Sequence, residues 1–279
     1  MPSAVRKAVK RSPLWPLLRP RRVHVYTVGA PKTGTHSVDQ LFSKNYRSGH
    51  ERYSAETIRL LKQRKKGALS HSELVGKIRD RDRRRRLESE SAHFLAHFCD
   101  VLAEAFPEAK FILTVREPRS WLRSMIDQCV NRPRSAYLRD ENVRHWATLR
   151  DLYFGARPAT HPPSEKVLAE HNLHAIEDYL SYWTLHNRTV LDAVPLERLL
   201  IVRTRDLSAS LDRIATFVGV SSHVLSQERS HSYKAPEKHG LLGKIDEHYV
   251  REKIVEHCSG VMTRVEKSAA TTVWGKAAP

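Results

Sequence analysis

The chain reads as an α/β protein, a three-layer sandwich with a central parallel sheet and helices on both faces. Three observations predict it. Short β-branched apolar runs recur as VHVYTVGA, FILTVR and RLLIVRT. They are too short for helices, and the second and third are nearly unbroken, as expected for strands buried on both faces. Stretches of helical periodicity lie between them. The first run also passes through a glycine-containing turn straight into one of those stretches. A length of 279 residues suits one larger α/β domain or two small ones, with enough core to need no staples.

In chain order, residues 1–21 form a basic, proline-broken segment without the apolar centre of a secretory signal, expected to be a flexible arm. A single domain is expected over 22–279. Val23–Ala30 is a strand. Thr35–Ser43 places Val38, Leu41 and Phe42 at helical spacing. Tyr46–Arg52 reads as a short strand or turn. Residues 56–90 form a basic excursion. Its weak helical period runs through Leu60, Leu61, Leu69, Leu74 and Ile78, and RDRDRRRR looks linker-like at its end. Ala92–Phe106 reads as a helix stopped by Pro107, and Phe111–Arg116 as a buried strand. Pro118 suits a first helical position, followed by an apolar face of Trp121, Leu122, Met125 and Ile126 that makes Trp121 a core residue. Residues 131–175 mix helical pieces with ARPATHPPSE and are expected to be a lid over an acceptor. In that lid His161, His171 and His174 could contact an acceptor but read first as surface histidines, and Trp146, Tyr153 and Phe154 could line an apolar acceptor pocket but read first as helix packing. A long helix follows over Ala175–Ala193, then a strand over Arg198–Thr204. The last helix assigned is SLDRIATFVGV, with Ser208 or Ser210 as its cap and Gly219 as its end.

The charge narrows the function classes. Lys and Arg number 48 against 31 Asp and Glu, a net charge of +17. Such a field favours nucleic acid, an acidic membrane surface, a phosphorylated cofactor or an acidic acceptor. RKKGALS and RDRDRRRR are the usual form of a solvated or electrostatic face. They allow peripheral membrane contact, but no sequence-reading nucleic-acid motif accompanies them. Cys99, Cys129 and Cys258 are odd in number and match neither a disulfide framework nor a metal-ligand spacing, which suits the cytoplasm. No run approaches the roughly 20 apolar residues of a membrane span.

The turn VGAPKTGTHS, residues 28–37, carries the chemistry. A turn between strand and helix presents backbone N–H groups to an anion, and the helix dipole adds to the attraction. Lys32 adds a full charge, and Thr35, His36 and Ser37 add donors. Gly29 and Gly34 have the separation of a nucleoside-triphosphate loop. That loop needs a lysine after its second glycine, where this chain has Thr35. An ATP-dependent small-molecule kinase is therefore the disfavoured alternative, and a polyanion-binding protein a second one.

PKTGTHS, running from Pro31 through Lys32, Thr33, Gly34, Thr35 and His36 to Ser37, resembles the 5′-phosphosulfate loop of sulfotransferases that use 3′-phosphoadenosine 5′-phosphosulfate (PAPS). In that family the lysine lies inside the loop. FPEAKFILTVREPRSWLRS resembles the family's 3′-phosphate motif, with Arg116 closing a strand and Ser124 eight positions on. RLLIVRTRDLSASLDRIATFVGV resembles its late strand and helix. RSHSYKAPEKHG stands where the family closes a loop over the 3′-phosphate. The Gly-x-x-Gly-x-x-Lys form found in some members is absent there, and Lys234 and Lys238 are the candidates for the role. The resemblance covers roughly residues 22–265.

It implies a PAPS-binding strand–loop–helix and metal-independent transfer of a sulfuryl group from PAPS to a hydroxyl or amine. Lys32 would steady charge on the leaving phosphate. The resemblance also points to a base in YRSGHERY, first Glu51 and then His50. Glycan-modifying members have a glutamate at similar spacing, and bacterial members often a His-Glu pair. Taken alone, Glu51 could equally pair with Arg47 or Arg52 on a surface turn. Eukaryotic cytosolic members have a catalytic histidine near LESESAHF, which offers Glu88, Glu90 and His93. Those residues read more simply as a polar helix start, with Ser91 as cap and Glu90 near the dipole. The acceptor is expected to be a small molecule, a glycan or a lipid, and the residues do not choose among them.

Overall fold

Alternation along short strands decides where the core lies. The computed structural model describes residues 20–155, 160–225 and 237–272. The strands are β1 Val25–Thr27, β2 Ser48–His50, β3 Ser89–Ser91, β4 Lys110–Val115 and β5 Leu199–Arg203. They form one sheet in the order β2-β3-β1-β4-β5, every neighbouring pair parallel. The α-helices are α1 Thr35–Ser43, α2 Ser54–Lys65, α3 His71–Arg85, α4 Cys99–Ala105, α5 Pro118–Asn131, α6 Arg134–Leu138, α7 Arg144–Phe154, α8 Lys166–Glu170, α9 Ile176–Ala193, α10 Leu211–Val218 and α11 Glu247–Thr272.

Successive side chains leave a strand on opposite faces. Val25, Ile112, Leu200 and Val202 point one way, into a cluster with Val38, Leu41 and Phe42 of α1 and Ile214 and Ala215 of α10. Tyr26, Phe111, Leu113, Leu199 and Ile201 point the other way, against a larger cluster built with α4, α5, α9 and α11. The protein is thus α/β with a five-stranded parallel sheet between helical layers. Among the described residues no helix is long and apolar enough to cross a membrane.

Three features depart from the sequence reading. The first is β3. Ser89, Glu90 and Ser91 do not start a helix. They pair with β1 on one side and β2 on the other. The segment carries neither β-branched nor apolar residues, so its pattern hides a strand. Paired charge makes its burial tolerable. Glu88 accepts from the Arg22 backbone N–H at 3.0 Å and from that of Arg47 at 2.9 Å. Burial pushes the Glu88 carboxyl up, and the bonds from Arg22 and Arg47 outweigh it, leaving the group at about 2. Glu90 is clasped by both arms of the Arg81 guanidinium, one at 2.8 Å, and both side chains are buried.

The second is the arginine run. It is the end of α3 rather than a linker, and much of it is spent inside the domain. Arg84 and Arg85 both hold Glu56, at 2.6 and 2.9 Å, and Arg85 lies over the Tyr53 ring. Arg86 closes the helix in the left-handed region at φ 51°.

The third is the C-terminal helix α11, which the reading left unassigned. It packs on α9 and β5 through Val250, Cys258, Val261 and Val265, a helical spacing visible in the sequence. Smaller differences are local. Residues 93–98 form a 3₁₀ turn ahead of α4. Ser210 stands at the cap position of α10, but its hydroxyl donates back to the Asp206 carbonyl at 2.8 Å and caps nothing. Pro118 does open α5, with the Glu117 carboxylate accepting the N–H groups of Arg119 and Ser120 at 2.8 Å each.

The Arg81–Glu90 pair yields a stability prediction. Removing one buried partner strands the other charge, at a typical cost of about 3–5 kcal/mol, whereas an apolar pair of similar volume often costs far less. Urea unfolding should show Arg81→Met strongly destabilised and Arg81→Met with Glu90→Leu closer to the wild type.

Candidate active site

In an open parallel sheet, ligands bind beyond the carboxyl ends of the strands, where the strand order reverses. Here the chain leaves β1 for β2 on one side, while β3 leads across β1 to β4 on the other. A cavity of about 1260 Å³ lies at that end. The residues that follow β1, β2, β3, β4 and β5 all line it: Lys32, Glu51, His93, Arg116 and Thr204.

The turn after β1 is shaped by contacts behind it. Gly29 passes so close to β4 that a Cβ there would collide with the Thr114 hydroxyl and lie 2.6 Å from its carbonyl oxygen. Lys32 and Gly34 have positive φ, 66° and 103°. The turn's carbonyls are taken up from the protein side. His186 donates from Nε2 to Val28 O at 2.8 Å. Trp121 donates from Nε1 to Pro31 O at 2.8 Å, and Thr204 from its hydroxyl to Thr33 O at 2.6 Å. Arg116 Nη1 reaches Lys32 O at 3.3 Å. The His186 bond requires a proton on Nε2, and burial, the largest influence, holds that imidazole neutral with its pKa at about 3. Helix α1 then starts at Thr35 with no side-chain cap, so its first-turn N–H donors are left for another acceptor.

Of the predicted loop residues, Pro31, Lys32, Gly34, Thr35, His36 and Ser37 line the cavity. The Thr33 side chain does not. It is fully buried, bonded to Ala30 O and to the Thr114 hydroxyl at 2.7 Å each. Lys32 Nζ lies 3.3 Å from Gln128 Oε1. Partial burial and the nearby Arg116 and Arg132 push the ammonium pKa down, with Asp127 opposing them.

Arg116, at the end of β4, is brought beside Lys32. Its Nε donates to the Ser120 hydroxyl at 3.2 Å, and its own carbonyl accepts from Trp183 Nε1 at 3.2 Å. Burial and Arg123 lower its pKa. Ser124 lines the same cavity, one turn along α5 from Ser120. Lys238 also lines it. Its segment is held on α5 by the Asp127 carboxylate, which accepts from His239 N–H at 2.9 Å, and by the Asn131 amide donating to Glu237 O at 3.0 Å. Lys234 lies outside the described residues.

The two rival base regions meet. Glu51, at φ 51° just past β2, places Oε1 2.8 Å from Nδ1 of His93, just past β3. Burial raises the Glu51 pKa, but the His93 hydrogen bond and the neighbouring His93, His50 and His36 bring the net value below the usual carboxylate range. Glu51 pairs with neither Arg47 nor Arg52 among the described ion pairs, and Arg47 is turned to Glu88. His50 lies 3.9 Å from Glu51, with its Nε2 3.2 Å from the Thr35 hydroxyl. Burial lowers its pKa. Glu88 and Glu90 face away into their arginine pairs.

The remaining wall comes from α6 and α7. Trp146, Tyr153 and Phe154 line the cavity as well as packing the interior, so both readings of them hold. His174 is a correction. It is buried against Phe154, ring centroids 5.1 Å apart, and its pKa is pushed down to about 4 by burial, Arg150 and His161. Sequence reasoning missed Arg123, Gln128, Arg132, Tyr137 and Arg150, all of which line the cavity. Of these, Gln128 had a signal: Ser120, Ser124 and Gln128 recur every four residues, a polar stripe beside the apolar one.

Residues 24–224 match the family model for the sulfotransferase domain. The chain belongs to that family. Family membership points to sulfuryl transfer as the general activity. No curated protein matches the chain. A solved sulfotransferase from Alicyclobacillus acidocaldarius resembles this sulfotransferase-family chain at 16% identity. The likeness covers 89% of this chain and 96% of that one, with a TM-score of 0.49.

The loop contacts predict a specific defect. Trp121→Phe keeps the ring packed on Tyr182 but leaves Pro31 O without its donor. A lost bond to a buried carbonyl typically costs about 1–3 kcal/mol. Urea unfolding should show a loss of that order with an unchanged m-value.

Proposed function

We propose that the protein transfers a sulfuryl group from PAPS to a hydroxyl or amine of a second substrate. The observation that carries this is the meeting of two distant anion-binding segments: the Arg116 guanidinium donates to the Lys32 carbonyl across 84 residues of sequence. The chain's own residues fit such a donor. An uncapped helix start, an ammonium and a guanidinium share one rim. The cavity, about 1260 Å³, exceeds the roughly 300–1,000 Å³ usual for one small ligand and leaves room for two.

When bound, PAPS supplies the sulfuryl group on a phosphate leaving group. Lys32 and the α1 donors hold the 5′ end and take up charge that grows on the leaving phosphate oxygen. Arg116, Ser124 and Lys238 would hold the 3′-phosphate, the guanidinium by its planar fork. The acceptor's proton passes to His93 Nε2. Glu51 holds the Nδ1–H and steadies the imidazolium that forms, the division of labour of a carboxylate–histidine pair. His50 orients the Thr35 hydroxyl at the start of α1. A kinase reading finds no comparable support, because Thr35 stands where its lysine belongs and Lys32 approaches from within the turn.

Calorimetric titration with adenosine 3′,5′-bisphosphate in EDTA, beside adenosine 5′-monophosphate and Mg·ATP, tests the donor site. Binding should require the 3′-phosphate and no metal. Arg116→Ala should weaken it by roughly 10–150-fold, the worth of a charged hydrogen bond of about 1.5–3 kcal/mol. A preference for Mg·ATP would overturn the reading. The lowered Lys32 pKa adds a sign. The ammonium is charged below its pKa, so affinity should fall as pH rises, beginning below the usual lysine value of 10.5. Lys32→Met should lose that limb.

For the transfer step, Glu51→Gln and His93→Gln should each lower turnover by about 10²–10⁴-fold while adenosine 3′,5′-bisphosphate affinity holds. A wild-type turnover in His93→Gln would move the base elsewhere.

A further inference from the structure

The acceptor half of the cavity carries a cation that nothing in the donor site uses. On α7 the side chains of Trp146, Arg150, Tyr153 and Phe154 follow one another at helical spacing and line the cavity together. The aromatic wall starts at the reacting end. Trp146 is stacked on His93 with ring centroids 6.0 Å apart, and Tyr153 meets the same ring edge-on at 5.9 Å. Phe154 continues the wall to His174. Arg150 stands in the middle of this apolar face.

Its charge has no acidic partner among the described residues. The adjacent carboxylate, Asp151, is held by Arg134 through bonds of 2.6 and 2.7 Å. Asp127 accepts the His239 N–H. Arg150 Nη1 reaches only the Arg132 carbonyl, at 3.4 Å, and its Nε is buried without any hydrogen-bond partner. Arg132, also on the cavity wall, adds a second positive charge beside it. The α7 rings beside Arg150 meet His93 and His174, whereas the Lys32 ammonium lies against Gln128 of α5. Arg150 therefore belongs to the side of the cavity away from the loop. A guanidinium left with unmet donors in a partly buried apolar wall is costly unless a ligand satisfies it.

We propose that the acceptor is an aromatic-bodied molecule bearing a carboxylate. Its ring lies along Trp146, Tyr153 and Phe154, its carboxylate is anchored by Arg150, and its hydroxyl is directed back to the Glu51–His93 pair. A planar guanidinium matches a carboxylate through two parallel hydrogen bonds, which sets orientation as well as affinity. The hydroxyl and the carboxylate then lie at opposite ends of the ring. This assignment rests on the sulfuryl-transfer reading for the identity of the site, but the anion anchor itself can be measured without the donor.

The experiment is a titration of the full chain with 3-(4-hydroxyphenyl)propionate and with its methyl ester, each with and without saturating adenosine 3′,5′-bisphosphate. The carboxylate should bind roughly 10–150-fold tighter than the ester, the range of a charge-assisted pair. Arg150→Gln should erase that difference and leave the ester and adenosine 3′,5′-bisphosphate affinities unchanged. In the wild type the carboxylate's affinity should also fall with added NaCl while the ester's does not, a readout that needs no variant to fold. Equal binding of the two probes, no binding of the carboxylate, or loss of adenosine 3′,5′-bisphosphate affinity in Arg150→Gln would each overturn the proposal. Failure of adenosine 3′,5′-bisphosphate to bind, with the carboxylate preference intact, would instead remove the donor reading and leave the anion anchor standing.

Discussion

The site depends on the hydrogen bonds that claim the carbonyls of the turn after β1. A turn binds an anion only if its N–H groups face outward, and that requires its carbonyl oxygens to be satisfied elsewhere. Here the donors come from four separate segments: His186 of α9, Trp121 of α5, Thr204 beyond β5 and Arg116 beyond β4. Each also belongs to a neighbouring layer. The turn is therefore as rigid as the packing of the domain, and the buried tryptophans Trp121 and Trp183 each donate a hydrogen bond to one of the two motifs.

A second constraint is the polar strand β3. A buried Ser-Glu-Ser segment is a poor strand by composition, and its Glu90 and the preceding Glu88 need arginines drawn from α3 and from residues 22 and 47. Part of the large positive charge is thus internal, compensating for carboxylates next to the sheet. In return β3 lies between β1 and β2, so the residue just beyond its end, His93, meets the residue just beyond the end of β2, Glu51. A carboxylate–histidine contact is assembled from two strand ends that are 42 residues apart.

Much was legible locally. The apolar runs at β4 and β5, the helices α1, α5 and α9, and the cradle with Lys32 all carry local signals, because buried strands and amphipathic helices repeat with periods of two and 3.6. The polar stripe of Ser120, Ser124 and Gln128, in a segment read for its apolar face, and the apolar spacing of α11, in a segment left unassigned, were also present. β3 left no such trace, since its stabilisation lies in ion pairs with residues distant in sequence. The same holds for His174, whose burial against Phe154 is a tertiary contact, and for Ser210, whose hydroxyl found a nearer carbonyl.

The sequence alone determined the α/β class, the glycine-containing turn with its lysine inside it and, separately, the arginine that closes a strand. These are properties of contiguous residues, set by backbone geometry and by the spacing of apolar and charged side chains. The tertiary structure decided which candidates share a site. It joined Glu51 to His93, removed Glu88 and Glu90 to structural pairs, turned Thr33 inward and set Arg150 among aromatic rings. Those outcomes depend on strand order and on which charges are buried opposite one another, and such distances between remote segments exist only once the chain has folded.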